Sequence, residues 1–221
     1  DEDTTTMGVE AARNALAGSS VTPSSIWFAT ANPAYLDKTN ATAIQAALDL
    51  PQDTWAVDAG GSARSAEAAI LGASGTPGVS MAVVSDLRTG NPTSNDESSG
   101  GDAAAALIFG DDDDAPVLAH ALGRAASTGE FLDRYRLPGE GSSRIWEERF
   151  GEQAYLALAE DAIERATKAA DVGIEDVDKV VIAGLHARAV RGLSKIAGDK
   201  LVDDLTGNIG NPGTAQLPLL V

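Results

Sequence analysis

The 221-residue chain contains no cysteine. That absence excludes disulfides, thiolate metal sites and a thiol nucleophile. Histidine is nearly absent too, with two residues, so imidazole chemistry has only His120 and His186 to draw on. Bases are scarce: 16 Lys and Arg against 33 Asp and Glu leave a net charge of −17. Such a surface repels nucleic acid and anionic membranes, and neither is an expected partner. No apolar run approaches the roughly 18 residues of a membrane-spanning helix. The first ten residues, DEDTTTMGVE, are acidic and polar and do not read as a signal peptide. They also lack an initiator Met, which suggests a chain processed or cut from a longer one. A soluble cytoplasmic protein is the expectation. Acidic runs such as Asp111–Asp114 read as solvated surface, in the manner of a salt-adapted protein. Four adjacent carboxylates with no glycine-framed loop do not read as a cation site, and no metal is expected.

What the chain does have is hydrophobic residues, 43% of it, in a repeating order of helix and strand. Met7–Leu16 reads as a helix behind a cap of Asp and Thr. Ser25–Thr30 (SIWFAT) reads as a strand, and Thr42–Leu50 as a helix ended by Pro51. Thr54–Ala59 (TWAVDA) is a second strand, Arg64–Ala73 a helix of small residues, and Gly78–Asp86 a third strand. A polar loop leads to a fourth, in GDAAAALIFG (Gly101–Gly110). These apolar runs are continuous, as in strands covered by helices on both faces. A second series follows the acidic run. PVLAHALGRAAS reads as a strand, and Glu130–Phe150 is irregular and rich in arginine. Glu152–Ala170 is a helix with Tyr155, Leu158, Ala159, Ala162, Ile163 and Ala166 on one face. Lys179–His186 (KVVIAGLH) reads as a strand, Ala187–Ala197 as a helix, and a glycine-rich loop reaches the final apolar segment.

Three places invite chemistry. VDAGGSARSAEAA (Val57–Ala69) has the strand–turn–helix form of a nucleophile platform, where a helix N-terminus favours negative charge. Ser62 is the one nucleophile in its turn, but GGSAR is not the G-x-S-x-G elbow. A cap for the following helix is the competing reading of Ser62. His186 closes an apolar run, where functional groups of parallel α/β sheets gather. It also precedes a helix, whose dipole favours neutral imidazole suited to general-base or hydrogen-bond work. Capping of backbone N–H groups is the bland alternative. In GNIGNPGTAQ, Asn211 sits between Gly210 and Pro212, where a carboxamide held rigidly forms part of an oxyanion hole. A simple Gly/Asn/Pro turn stands beside that reading. His120 lies in an apolar run with no such context.

Taken in order, these segments resemble the thiolase superfamily, and within it the 3-hydroxy-3-methylglutaryl-CoA synthase and type III ketoacyl-ACP synthase branch. GDAAAALIFG is similar to the strand that closes the first half of that fold. GLHARA is similar to the histidine motif and GNPGTAQLPL to the asparagine motif. EFLDRYRLPGEGSSRIWEERFG is similar to the segment after the half-way point. The resemblance implies a layered α/β fold of two similar halves of βαβαβ type, residues 1–114 and 115–221, the second shortened and both lacking terminal strands. It carries His186 and Asn211 over as catalytic residues. It places the family's cysteine at Ala63, beside Ser62, and its catalytic glutamate near Ala31. It implies an acyl-CoA-handling enzyme, a synthase, acyltransferase or carbon–carbon lyase, with a coenzyme A thioester as ligand and no tightly bound cofactor. With both of those residues replaced, the implied chemistry is aldol, retro-aldol or condensation through His186 and Asn211. The alternative is a non-catalytic acyl-CoA-binding scaffold for an OB-fold/zinc-ribbon partner. The resemblance further implies a homodimer paired through the TWAVDA strand.

Overall fold

The computed structural model describes residues 2–111 and 113–221. Asp112, in the acidic run, lies outside them. Two compact units divide the chain: the first runs through Leu118 and takes back Leu205–Val221, and the second is Ala119–Asp204. The last 17 residues, expected with the second half, therefore belong to the first unit.

In the first unit, helix α1 (Thr4–Leu16) starts three residues before its expected bound. Asp3 caps it, accepting from the Thr6 amide at 2.8 Å while the Thr6 hydroxyl takes the Asp3 amide. The sheet has the order β2–β1–β3–β4, from β1 (Ser25–Thr30), β2 (Trp55–Gly60), β3 (Ser80–Leu87) and β4 (Asp102–Phe109). Strand β1 runs parallel to both β2 and β3, whereas β4 is antiparallel to β3, with Ser80 opposite Phe109. The continuous apolar runs of β1 and β3 reflect burial on both faces. One face joins Ile26, Phe28, Met81 and Val83 to α1 and to Ile44 of α2 (Ala41–Ala47). The other joins Ala29, Ala82 and Val84 to Ala66, Ala69 and Ala73 of α3 (Ser65–Gly75). Small residues let α3 lie close to the sheet, which explains its alanine-rich sequence. A short helix α4 (Asn95–Ser99) precedes β4, and helices α7 (Thr206–Ile209) and α8 (Gln216–Leu220) bracket the loop that carries Asn211.

The second unit departs from the expected second half. It holds a two-stranded ladder, β5 (Arg134–Tyr135) with β6 (Arg144–Ile145), and the helices α5 (Glu148–Ala170) and α6 (Ala187–Ala197). Helix α6 has the expected bounds, and α5 starts four residues early. Neither PVLAHALGRAAS nor KVVIAGLH forms a strand. The end of the first, residues 123–127, lies along α5 instead. A Cβ on Gly123 would sit 2.6 Å from the Ala170 amide, and the Arg165 guanidinium donates to the Ala126 carbonyl. The second makes one bridge, Val180 to Leu201, with bonds of 2.9 and 3.0 Å, and no ladder continues it. An apolar run becomes a strand only when a partner offers its edge.

Candidate functional site

Parallel pairing of β1, β2 and β3 puts their C-terminal ends at one edge of the sheet. Ala31, the turn Gly61–Ala63 and Asp86 all follow from that placement. Asp86 is 1% exposed and fully engaged. One oxygen accepts from the Thr30 hydroxyl at 3.0 Å and the Ala31 amide at 2.7 Å; the other accepts from the Thr214 amide at 2.8 Å. A single carboxylate thus ties the position expected for a glutamate to the loop that carries Asn211. In the sequence, the signal for Asp86 is a lone acid at the end of an apolar strand.

The Asn211 loop is fixed from both sides. The Asn211 amide donates to the Ser99 carbonyl at 2.8 Å, and the Asn211 carbonyl accepts from Gly101 at 3.1 Å. Its side-chain oxygen accepts from the Gly213 amide at 3.0 Å, which directs the NH₂ end the other way. Gly210 has φ of +73°, and a Cβ there would collide with the Gly100 carbonyl, so only glycine fits. Ala215, just beyond the loop, packs with Ala66 and Ala69 of α3. The loop and the helix that follows Ala63 therefore share one apolar cluster.

At the turn itself, Ser62 is exposed and Ala63 half-buried. Ser62 is not the helix cap that the sequence suggested. Helix α3 starts at Ser65, its N-cap is Arg64 without a side-chain bond, and the Ser65 hydroxyl reaches back toward the Ser62 amide at 3.4 Å. Asp58 does its capping across the sheet: its two oxygens accept from the Asn40 and Ala41 amides, at 2.6 and 2.7 Å, at the start of α2.

His186 belongs to the second unit, while Ala63 and Asn211 belong to the first. His186 caps α6, so the bland reading of this residue is realised. Its Nδ1 accepts from the Ala189 amide at 3.2 Å. An amide N–H can only donate, so Nδ1 is bare and Nε2 carries the ring proton. That proton points to the Glu148 carbonyl, 3.1 Å from Nε2. The Glu148 carboxylate is engaged separately, with Arg188 at 2.7 Å. The Tyr155 ring lies 5.4 Å from the imidazole, tilted by 52°. A further carboxylate, Asp133, comes from the segment between Glu130 and Phe150. It is 6% exposed, and its Oδ1 is buried without a hydrogen-bond partner. Among the described residues no cluster of three or more His, Asp or Glu could hold a metal ion. None of the described helices is long and apolar enough to cross a membrane.

No protein-family model matches the chain. Relatives do. The chain is 31% identical to hydroxymethylglutaryl-CoA synthase of Pyrococcus furiosus over 224 residues, which cover 96% of this chain and 63% of that protein. The chain thus spans less than two thirds of that relative. Its fold matches the crystal structure of HMG-CoA synthase complexed with CoA, with a TM-score of 0.76 at 19% identity, covering 97% of this chain and 60% of the other. It also matches a variant of Xanthomonas campestris OleA, with a TM-score of 0.81 at 16% identity, covering 99% and 73%. At these identities the two structures speak to the fold alone. Sequence and fold agree: the chain has a thiolase-like fold, is similar to hydroxymethylglutaryl-CoA synthase, and lacks cysteine.

Proposed function

We propose that this chain handles acyl-CoA thioesters and stabilises an enolate without covalent acyl transfer. Similarity to hydroxymethylglutaryl-CoA synthase along 96% of the chain supports the substrate class, and a neighbouring synthase structure holds CoA. The observation that carries the reading is the hydrogen bonding of the His186 imidazole at a helix N-terminus: Nδ1 accepts from the Ala189 amide, which leaves Nε2 as the donor. Such a group is a hydrogen-bond donor for a thioester oxygen on which negative charge develops. The resemblance adds Asn211 as a second donor, its carboxamide oriented by the Gly213 bond to Oδ1. Donors of this kind suit aldol, retro-aldol or condensation chemistry, which needs an oxyanion hole but no nucleophile. His186→Ala and Asn211→Ala are expected to lower turnover of a reactive acyl-CoA about 100-fold or more while the circular dichroism spectrum stays parental. Parental rates in both variants would sink the proposal.

A second reading has its own support. Alanine stands at both position 31 and position 63, where the resemblance places the glutamate and the cysteine, and both ring nitrogens of His186 are already engaged. On this reading the chain is an acyl-CoA-binding scaffold for an OB-fold/zinc-ribbon partner. Calorimetry with CoA thioesters separates the two: binding without turnover, unaffected by His186→Ala, favours the scaffold.

A further inference from the structure

His186 is a donor in this structure, not a base, because Nε2 holds the proton and Nδ1 is occupied by the Ala189 amide. Enolate formation needs a second group to accept a proton from carbon. Ala31, where the resemblance puts a glutamate, cannot supply it. The second unit holds one carboxylate in the right condition. Asp133 is 6% exposed, and its Oδ1 has no partner. A buried carboxylate oxygen left unpaired costs about 1–3 kcal/mol or more, and such groups call for a functional explanation.

Helix α5 shows where that oxygen points. Gly151 is a buried glycine in its first turns, a place where alanine is preferred by about 1 kcal/mol. A Cβ on Gly151 would lie 2.7 Å from Asp133 Oδ1 and 2.8 Å from His186 Nε2. Asp133 Oδ1 and His186 Nε2 thus lie beside the same bare patch of helix, where any side chain would collide with both. The backbone of Asp133 is held in place as well: its carbonyl accepts from the Trp146 amide at 2.6 Å, next to the ladder of Arg134 with Ile145. The Glu148 carboxylate pairs with Arg188, and Tyr155 presents its ring.

We infer that Asp133 is the proton acceptor of this site, paired with His186 as the donor. The inference rests on the acyl-CoA reading above and names the base that it requires. Asp133 Oδ1 takes the proton from the carbon next to the thioester carbonyl. The C–H electron pair forms the C=C bond of the enolate, and the carbonyl π pair moves onto oxygen. That oxygen takes the Nε2–H hydrogen bond which the Glu148 carbonyl holds in this structure. The proton stays on the Asp133 carboxyl until it returns to carbon or protonates the product of carbon–carbon bond formation. No oxidant, metal or covalent acyl-enzyme enters the balance.

The step is tested without knowledge of the full reaction, by following deuterium uptake into the acetyl group of acetyl-CoA in D₂O. The parent chain exchanges. Asp133→Asn, which keeps the side-chain shape, is expected to slow exchange about 100-fold or more while acetyl-CoA binding by calorimetry stays within about threefold. Asp133→Ala opens a space for a small acid, and added formate is expected to restore exchange at least about tenfold, which a purely structural carboxylate would not allow. Either variant decides the matter if the other fails to fold. Parental exchange in D133N, or no formate rescue in D133A, overturns the role of Asp133 and leaves the acyl-CoA reading standing. Acetyl-CoA that binds without exchanging in the parent overturns this inference and favours the scaffold reading. Acetyl-CoA that does not bind the parent overturns both.

Discussion

Asp86 and Asp58 do similar work in the first unit, and neither acts on its sequence neighbours. Asp86 accepts from three donors, one of them the Thr214 amide, 128 residues away. Asp58 caps α2 from the neighbouring strand, 17 and 18 residues away, while the Asn40 side chain donates to the Tyr35 and Lys38 carbonyls and to Asp58 itself. Removing the Asp86 carboxylate strands two amides and a hydroxyl in a buried setting. Asp86→Ala is therefore expected to cost about 3 kcal/mol or more in urea denaturation. It is also expected to raise hydrogen exchange at Gly213 and Thr214 before the sheet opens. A loss within experimental error would mean that water replaces the carboxylate freely. The Thr214 bond lies three residues from Asn211, so Asp86 helps to hold that loop although it has no part in the proposed chemistry.

The elements show which physical signals local sequence carries. Strands β1 and β3 and helix α6 lie where the sequence puts them, because burial on two faces writes an unbroken apolar run and a capping residue marks a helix start. The segment from 116 to 127 has the same apolar character, but a long helix holds its last five residues. Arg165 donates to the Ala126 carbonyl and pairs with Asp161 at 2.6 Å, and Ser127 bonds to Asp161 as well. No pattern within the segment announces those tethers, which lie 34 or more residues away. KVVIAGLH fails as a strand for a related reason, since strand formation is decided by the partner and not by the run. Asp133 was equally hidden: its burial follows from how β5, β6 and α5 fold, not from its arginine-rich neighbours. The tether along α5 responds to acid. The hydrogen bond from Ser127 and then the Arg165 guanidinium hold the Asp161 carboxyl below its ordinary value of 3.8. A depressed folded-state value stabilises above the unfolded one and is lost as pH falls through it. Amide exchange across residues 123–129 is thus expected to be slow near neutrality and to quicken, after correction for intrinsic rates, as pH drops below about 4. In Asp161→Asn the protection should already be low at neutral pH and flat below it. A parental acid response in that variant would place the tether elsewhere.

For the whole molecule, the question is what covers the edges of the first sheet. Among the described residues β2 is an edge strand, with Trp55 74% exposed on it. An exposed edge is a template for pairing unless something blocks it, and β2 carries no proline or lysine. The resemblance implies that this edge pairs with a second copy of the chain, and the geometry makes that proposal specific. The Trp55 amide donates to the Ser24 carbonyl at 2.9 Å, so residues 55, 57 and 59 turn their backbone groups toward β1. By the two-residue alternation of a strand, Ala56 and Asp58 turn theirs outward. Proline at 56 removes an outward donor and spares the ladder to β1, whereas proline at 57 would break that ladder. Ala56→Pro is therefore expected to sediment as a monomer with a parental circular dichroism spectrum, from a parent that sediments as a dimer. Asp58 is the wrong residue to change, because its carboxylate holds α2. A folded Ala56→Pro chain that still sediments as a dimer would show that the two copies meet on another surface.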